Sequence, residues 1–290
     1  MSENRPLIGI GMMATAVGVN ATKDGLIKIL GASYDPIFIL WVQMLIISLI
    51  FMPFIVSRHG WNVILPKPLG LQFLRGVFVT LGVGGFYVAV QYIPLADTTA
   101  LVFVAPLVVT ALSPFVLKET VGKTRWLAII FGFVGVLIIL RPDFSGNRFG
   151  YYLALGAGCS LGLFYMINRT LAKYTPPFVA VFYMGITSSI LLTPLGPFRG
   201  TIPQYEDALL ILFFFVLTSI GQVLMITAFR FAPASTIAPF QYVQLLVATA
   251  FGWYVFQAFP DQWTWIGITL VIAAGLFIAY CESQPLKKAI

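Results

Sequence analysis

Charged side chains are scarce in this chain. Asp, Glu, Lys and Arg together make up 9% of its 290 residues, whereas a soluble domain carries about 25%. The chain therefore lacks the polar surface that a soluble fold needs. Hydrophobic residues make up 59% of the sequence and the mean hydropathy is +0.95. This composition predicts a membrane protein.

The groups that usually carry catalysis are also few. His59 is the single histidine, and Cys159 and Cys281 are the only cysteines. We find no spacing typical of a metal site, no serine, base and carboxylate set and no nucleotide-binding glycine motif. We therefore expect no enzyme activity, no catalytic residues, no metal and no cofactor. The two cysteines lie far apart in sequence, and they do not indicate a disulfide.

Long apolar runs occupy almost the whole chain. A membrane-spanning helix needs roughly 20 mostly apolar residues, and continuous runs of this length exclude the alternating pattern of a membrane barrel. The sequence thus predicts an all-α polytopic membrane protein with ten transmembrane helices. The predicted segments are 7–29, 36–57, 70–92, 95–117, 124–141, 149–172, 177–195, 207–230, 234–257 and 263–282.

The net charge of +7 could indicate nucleic-acid binding, but the distribution of Lys and Arg argues for topology instead. If the N-terminus is cytoplasmic, 12 of the 17 basic residues fall on the inner side and 5 on the outer side. Basic residues concentrate on the cytoplasmic side of membrane proteins. We expect a multi-pass protein of the inner (plasma) membrane with both termini cytoplasmic. Its predicted partners are the lipid bilayer and a small-molecule substrate, with no nucleic acid; whether it forms a homodimer stays open.

The chain contains an internal repeat. Shifting the sequence by 139 positions aligns residues 92–117 with 231–256 without a gap, and pairs Pro94 with Pro233 and Phe103 with Tyr242. This predicts two five-helix repeats, 1–145 and 146–290. Because five is odd, the second repeat would be inverted in the membrane. Inverted repeats are typical of secondary transporters, whose substrate sites lie between the repeats.

The repeated segments resemble a known family. "IPLADTTALVFVAPLVVTALSPFVLKE" precedes "RWLAIIFGFVGVLIIL", and "APASTIAPFQYVQLLVATAFGWYVF" precedes "WIGITLVIAAGLFIA". The chain is similar over its whole length to the EamA-type ten-helix branch of the drug/metabolite transporter superfamily. The resemblance implies a basket-like bundle around a central cavity, surrounded by helices 1, 3, 4, 6, 8 and 9. Glu119 matches a family glutamate, whereas Ala258 stands at the equivalent place in the second repeat.

Polar residues inside membrane spans are candidate substrate-binding groups, because they are costly unless they face a cavity or a partner. The alternative for each is a hydrogen bond that holds helices together, or simple packing for the aromatic residues. Lys23 and Asp24 share a helix face with Asn20, and a pair at the membrane surface is the simpler interpretation for them. The candidate substrate-binding residues are Gln241, Gln244, Tyr242, Phe103, Tyr87, Gln91, Asn20, Tyr165, Asn168, Gln222 and Trp41.

Four prolines are candidate hinges: Pro94, Pro106, Pro233 and Pro239. A proline removes a backbone donor and disturbs the preceding turn of a helix. We therefore predict that the ninth helix is bent or starts late.

No Asp or Glu falls near the centre of any predicted span. Central carboxylates are typical of proton relays, so this predicts a facilitator or exchanger for a neutral or zwitterionic metabolite. The favoured function is export of amino acids or related metabolites by alternating access. The alternative is an uptake carrier for a nucleoside-like or cofactor-like metabolite, and a third option is a non-transporting membrane partner protein.

Overall fold

The structure is a computed structural model of the full chain. It describes residues 6–60, 68–116, 122–140, 148–171, 175–201, 203–231 and 238–283. Pro233 and Glu119, two residues of interest in the sequence, lie outside the described residues.

Every regular element among the described residues is helical, which confirms the all-α prediction. The described residues form twelve α-helices, and two 3-10 turns, Tyr205–Asp207 and Ala238–Tyr242, precede α10 and α11. The helices are α1 (Pro6–Leu30), α2 (Pro36–His59), α3 (Leu69–Tyr92), α4 (Leu95–Val102), α5 (Ala105–Val116), α6 (Lys123–Leu140), α7 (Phe149–Leu171), α8 (Pro177–Leu192), α9 (Gly196–Arg199), α10 (Ala208–Phe231), α11 (Val243–Phe256) and α12 (Gln262–Ser283).

Several of these segments are long and apolar enough to cross a membrane. Five qualify by length and hydropathy: residues 36–58, 69–92, 95–116, 149–168 and 205–225. Four further apolar helices are shorter, at 126–139, 178–192, 240–256 and 262–278. The 25-residue α1 carries Asn20, Lys23, Asp24 and Lys28, which lower its hydropathy. The chain is thus a multi-pass membrane protein.

Local signals set several helix ends. The carboxylate of Asp35 accepts hydrogen bonds from the backbone N–H groups of Ile37 (2.8 Å) and Phe38 (3.4 Å), and Pro36 occupies the first turn of α2. This is the usual N-cap chemistry, because the first N–H groups of a helix have no partner within the helix. At its C-terminal end, α11 stops at Gln257, which adopts a left-handed conformation (φ 53°).

Two of the predicted spans are interrupted, and the interruptions fall at aligned positions of the repeat. The predicted helix 95–117 consists of α4 and α5, separated by a turn at Phe103 and Val104. The predicted helix 234–257 consists of a 3-10 turn ending at Tyr242 and of α11, which starts at Val243. A shift of 139 positions superposes these breaks. The late start predicted for the ninth helix is therefore observed in its described part. The predicted span 95–117 is also found, at 95–116, with a turn inside it.

The helices pack as six central segments and two outer pairs. The central segments are α1, α3, α4 with α5, α7, α10, and the 3-10 turn with α11; within this group α3 packs on α7, α1 packs on α10 and on α11, and α4 packs on both α7 and α11. Outside them, α2 packs on α8, and α6 packs on α12. Both interrupted segments belong to the central group. The predicted hinge prolines that the structure describes, Pro94, Pro106 and Pro239, all lie in or directly before these two segments.

Glycines allow the closest helix contacts. A Cβ on Gly135 would lie 2.8 Å from the carbonyl oxygen of Gly267, and one on Gly267 would lie 2.6 Å from the carbonyl oxygen of Gly135. These positions let α6 and α12 approach backbone to backbone, as small residues do in membrane bundles. A Cβ on Gly85 would similarly lie 3.0 Å from the Cβ of Ala157 on α7, so α3 and α7 also approach closely at a glycine.

Candidate functional site

A buried ion pair lies on α1. The ammonium of Lys23 is 2.8 Å from a carboxylate oxygen of Asp24, and the two side chains are only 12% and 7% exposed. The pair thus lies inside the bundle. The interpretation of Lys23 and Asp24 as a pair at the membrane surface is wrong, because neighbouring helices cover both side chains.

Three further side chains bond to this pair. Lys23 Nζ donates to the hydroxyl of Tyr87 on α3 (3.3 Å), and that hydroxyl donates to Oε1 of Gln43 on α2 (2.5 Å). On the other side, Nε2 of Gln244 on α11 donates to the second carboxylate oxygen of Asp24 (2.7 Å). We call these five residues, Lys23, Asp24, Gln43, Tyr87 and Gln244, the polar network. It links α1, α2 and α3 to α11, and so connects the first half of the chain to the second.

The helices around the polar network approach α1 at its glycines. A Cβ on Gly25 would overlap the ring of Phe251 on α11, and a Cβ on Gly31 would overlap the amide of Gln91 on α3. Gln91 uses this space to donate a hydrogen bond to the carbonyl of Ile27 (3.0 Å). The lack of side chains at these two positions is what lets α3 and α11 reach the ion pair.

The polar network still has unused hydrogen-bonding capacity. An ammonium has three donors and a carboxylate accepts about four hydrogen bonds. Among the described residues, Lys23 bonds to Asp24 and Tyr87, while Asp24 bonds to Lys23 and Gln244. Each charged group therefore has hydrogen-bonding capacity beyond these bonds.

An aromatic stack joins the two interrupted segments. The rings of Phe103 and Tyr242 are stacked with centroids 5.0 Å apart and planes inclined by 27°. Tyr242 is 8% exposed, and its hydroxyl occupies the space where a side chain on Gly275 of α12 would lie. Only Val243 separates Tyr242 from Gln244 in the chain, so the stack and the network share one short segment of backbone.

Contacts between the first and second halves of the chain lie at the end of the bundle at which α1 ends and α2 begins, which we call the α1–α2 end. The hydroxyl of Tyr34 donates to a carboxylate oxygen of Asp207 (2.6 Å) and accepts from the backbone N–H of Gln204 (3.0 Å). The hydrogen bond to Asp207 raises the pKa of Tyr34. Arg199 is paired with Asp35 at 3.4 Å.

Lys28 of α1 makes further contacts at this end. Its ammonium donates to the carbonyl of Ile93 (2.7 Å) and lies 5.3 Å from the centre of the Phe256 ring. The last turns of α1, α3 and α11 therefore meet at the α1–α2 end.

Other predicted site residues hold helices together. Trp41 donates from its indole N–H to Thr193 (3.2 Å) and packs against Gly196, so it fastens α2 to the α8–α9 connection. The amide oxygen of Asn20 would lie 2.5 Å from a Cβ on Gly221, which places Asn20 at the contact of α1 with α10.

The remaining candidates lie apart from the polar network. Tyr165 is 43% exposed and contacts its own neighbour Phe164. Asn168, Gln222 and Gln241 are half-buried, and none of the hydrogen bonds of the network involves them. Some of the predicted site residues thus belong to the polar network, and the others take no part in its hydrogen bonds.

The prolines predicted as hinges are at helix boundaries where the structure describes them. Pro94 directly precedes α4, Pro106 is the second residue of α5, and Pro239 lies in the 3-10 turn before α11. Pro106 has no N–H and cannot donate to the carbonyl of Val102, where α4 ends.

The predicted substrate-binding residues do not include three members of the polar network: Lys23, Asp24 and Gln43. The spacing of Asn20, Lys23 and Asp24 was the available signal, and it indicated a shared polar face. It could not distinguish a face that meets lipid headgroups from one that meets α3 and α11, because this depends on helix packing.

A second polar contact lies near the start of α3. Gln72 and Arg75 are each 1% exposed; Gln72 donates to Thr175 (2.8 Å) and Arg75 donates to the carbonyl of Ala180 (3.0 Å). These bonds tie α3 to the beginning of α8. No group of three or more His, Cys, Asp and Glu side chains that could hold a metal occurs in the part of the chain that the structure describes.

The sequence pattern of the EamA-like transporter family matches the chain twice, over residues 7–141 and 148–280. The chain belongs to the EamA-like transporter family. Family members are transporters and not enzymes, which agrees with the expectation that the chain has no enzymatic function.

Named relatives agree with this membership. The chain is 28% identical to an S-adenosylmethionine uptake transporter of Rickettsia bellii over 98% of this chain and 97% of the relative. It is 25% identical to a riboflavin transporter of Vibrio cholerae over 85% of this chain and 84% of the relative. A solved structure with 14% identity superposes on 96% of this EamA-like chain and 98% of its own, with a TM-score of 0.61, which supports the fold.

Proposed function

We propose that this protein is a secondary transporter that takes up a nucleoside-like or cofactor-like metabolite across the inner membrane by alternating access. The observation that carries this proposal is the polar network, a buried ion pair with hydrogen bonds to helices of both repeats. Ionisable groups inside a membrane bundle are costly and usually mark a substrate or ion pathway.

The relatives favour this substrate class over the amino acids first expected from the sequence. S-adenosylmethionine and riboflavin, named for two relatives, are both ring-containing metabolites larger than an amino acid. The Phe103–Tyr242 stack joins the two interrupted segments, and aromatic side chains of this kind bind such rings. Uptake of a ring-containing metabolite therefore replaces amino acid export as our main hypothesis.

The packing supports ten spans arranged as two inverted repeats, 1–145 and 146–290, around a central substrate path. In this arrangement α7 is the counterpart of α1, and α10 is the counterpart of α3. The counterpart of the α1–α10 contact is therefore the contact of α7 with α3. Both contacts occur. Likewise, α11 is the counterpart of the α4–α5 segment. The counterparts of the α1–α11 contact are the contacts of α7 with α4 and α5, and these also occur. The two separate family matches follow the same division.

In an alternating-access cycle, the contacts at the α1–α2 end would break and form again. Tyr34–Asp207 and Asp35–Arg199 join the first repeat to the second at this end, and Asp24–Gln244 does so deeper in the bundle. Opening the site toward this end requires these bonds to break. The distribution of basic residues places this end outside the cell.

Uptake into proteoliposomes tests the proposal. Purified protein would be reconstituted and supplied with radiolabelled S-adenosylmethionine, riboflavin and, separately, a panel of amino acids. We expect time-dependent accumulation of a ring-containing metabolite that excess unlabelled compound abolishes. Empty liposomes give the background rate. Accumulation of amino acids alone would contradict the proposal and restore the amino acid carrier, and no flux of any compound would also contradict it.

A further inference from the structure

The polar network contains one cation and one anion on adjacent residues of a single helix. Successive side chains of an α-helix diverge by about 100°, so Lys23 and Asp24 leave α1 in different directions and then converge, with 2.8 Å between ammonium and carboxylate. Each is also held from its other side, Lys23 by Tyr87 and Asp24 by Gln244. The ammonium of Lys23 and the carboxylate of Asp24 are therefore held next to each other by partners on α3 and α11.

Such a pair is poorly explained as a device for stability. Removing two charges from water costs free energy that their mutual attraction often fails to recover, and apolar residues of similar size commonly serve as well or better. Hydrogen bonds between neutral side chains would also be sufficient to join α1 to α11. An ion pair in this place therefore calls for a ligand that needs both charges.

We propose that Lys23 and Asp24 bind the zwitterionic head group of the substrate, an α-ammonium next to an α-carboxylate. The substrate carboxylate pairs with Lys23 and the substrate ammonium pairs with Asp24, so each protein charge exchanges its present partner for the matching charge of the substrate. The inference rests on the proposed function and narrows its substrate class to ring-containing metabolites that carry an α-amino acid group.

The surroundings fit this exchange. The exchange conserves charge: two ion pairs form where one was broken, and no buried charge is left without a partner, which is the condition for burying charges at low cost. The Tyr87 hydroxyl and the Gln244 amide remain to orient the two protein groups. Gln244 lies two residues after Tyr242 of the aromatic stack, so one short backbone segment carries both the head-group partner and an aromatic side chain.

Three related compounds separate the parts of the ligand. S-adenosylmethionine carries the amino acid group and a positively charged sulfonium. S-adenosylhomocysteine keeps the amino acid group but has a neutral thioether, and 5′-methylthioadenosine keeps the nucleoside and thioether but lacks the amino acid group. Binding to the purified full-length protein in detergent would be measured by isothermal calorimetry, with riboflavin as a ring-containing compound without an amino acid group.

The wild-type protein is expected to bind the first two compounds and to bind 5′-methylthioadenosine at least about tenfold more weakly, a difference of about 1.4 kcal/mol. Equal affinity for all three compounds overturns the zwitterion site. Binding of S-adenosylmethionine without S-adenosylhomocysteine also overturns it, because Asp24 would then recognise only the sulfonium. These wild-type measurements decide the matter even if no variant folds.

The variant test uses Lys23→Gln together with Asp24→Asn, which removes both charges at once and leaves no unpaired ion. The double variant is expected to lose the preference for compounds with the amino acid group. Lys123→Gln removes one positive charge from the exposed start of α6, outside the network, and should keep the preference. A double variant that still discriminates overturns the proposal.

Failure of this inference can be told apart from failure of the proposed function. Transport of riboflavin or 5′-methylthioadenosine with no preference for an amino acid group would refute the zwitterion site and leave uptake of a ring-containing metabolite standing. Binding and flux of none of these compounds would refute both.

Discussion

Phe103 and Tyr242 stack with their ring centroids 5.0 Å apart, and they occupy the same position of the internal repeat. Each residue also lies where its membrane segment is interrupted, Phe103 between α4 and α5 and Tyr242 at the end of the 3-10 turn before α11. Two equivalent breaks thus face each other, with their aromatic rings in contact. The proposed inverted repeats would bring equivalent residues together in this way, and we expect moving parts of the transporter to meet at this point.

Replacing Phe103 with Ala should weaken both the fold and ligand binding. A stacked aromatic pair contributes about 0.5–1.5 kcal/mol beyond the burial of its area. We expect a lower unfolding temperature for Phe103→Ala and Tyr242→Ala, and a double variant that loses less than the sum. Phe103→Tyr keeps a ring and is the control. Additive losses in the double variant would mean that the two rings do not stabilise each other.

Adding one methyl group at Gly275 should disturb the same stack from the opposite side. A Cβ there overlaps the hydroxyl of Tyr242, so Gly275→Ala must displace the tyrosine or α12. Overpacking of this kind typically costs about 1–3 kcal/mol. We expect a lower unfolding temperature and a reduced uptake rate.

Gly18→Ala is the matched change on α1. A Cβ at Gly18 meets no atom within 4 Å, and Ala favours a helix over Gly by up to about 1 kcal/mol. This variant should transport normally and be as stable as the wild type or slightly more so. Equal behaviour of the variants at Gly275 and Gly18 would contradict the tight contact with Tyr242.

The two glutamines of the ninth segment should now differ in importance. Gln244 donates to Asp24 at 2.7 Å, so Gln244→Ala leaves a buried carboxylate with one partner fewer and should lower uptake strongly. Losing a hydrogen bond to a charged group costs about 1.5–3 kcal/mol. Gln241→Ala, which removes no bond of the polar network, should have a smaller effect. Initial uptake rates at several substrate concentrations test this, and a larger loss for Gln241→Ala would refute the ranking.

Single cysteines can test the proposed orientation. After replacement of Cys159 and Cys281 by Ala, a cysteine at Ser33, which is exposed in the α1–α2 connection, should react with a membrane-impermeant maleimide in intact cells. A cysteine at Ser57, exposed near the other end of α2, should react only after the membrane is opened. The reverse pattern would place the termini outside and contradict the charge distribution.

Much of the secondary structure was predictable because it depends on local composition. In a bilayer a backbone must satisfy its own polar groups, so an apolar run of sufficient length becomes a helix. The predicted segment 149–172, for example, corresponds to α7 at Phe149–Leu171. The turn at Phe103 was missed, because Pro106 weakens a helix without deciding whether it bends or breaks.

The candidate site was only partly predictable. Tyr87 and Gln244 were selected as intramembrane polar residues, and the structure brings both of them to Asp24 and Lys23. Trp41 was selected by the same rule, yet it bonds to Thr193 at the α8–α9 connection. The rule finds polar groups that need a partner, but it contains no information on which partner lies within reach.

The sequence by itself determined that the chain is an all-helical membrane protein of the EamA-like family, because hydropathy, basic residues and the repeated motif are properties of short segments. Only the tertiary structure decided which polar residues act together. Lys23 and Asp24 are 220 residues or more before Gln244 in the chain, and glycines at positions 25 and 31 determine how closely α3 and α11 can approach them. Such distances depend on the packing of whole helices, since no local pattern of residues contains them.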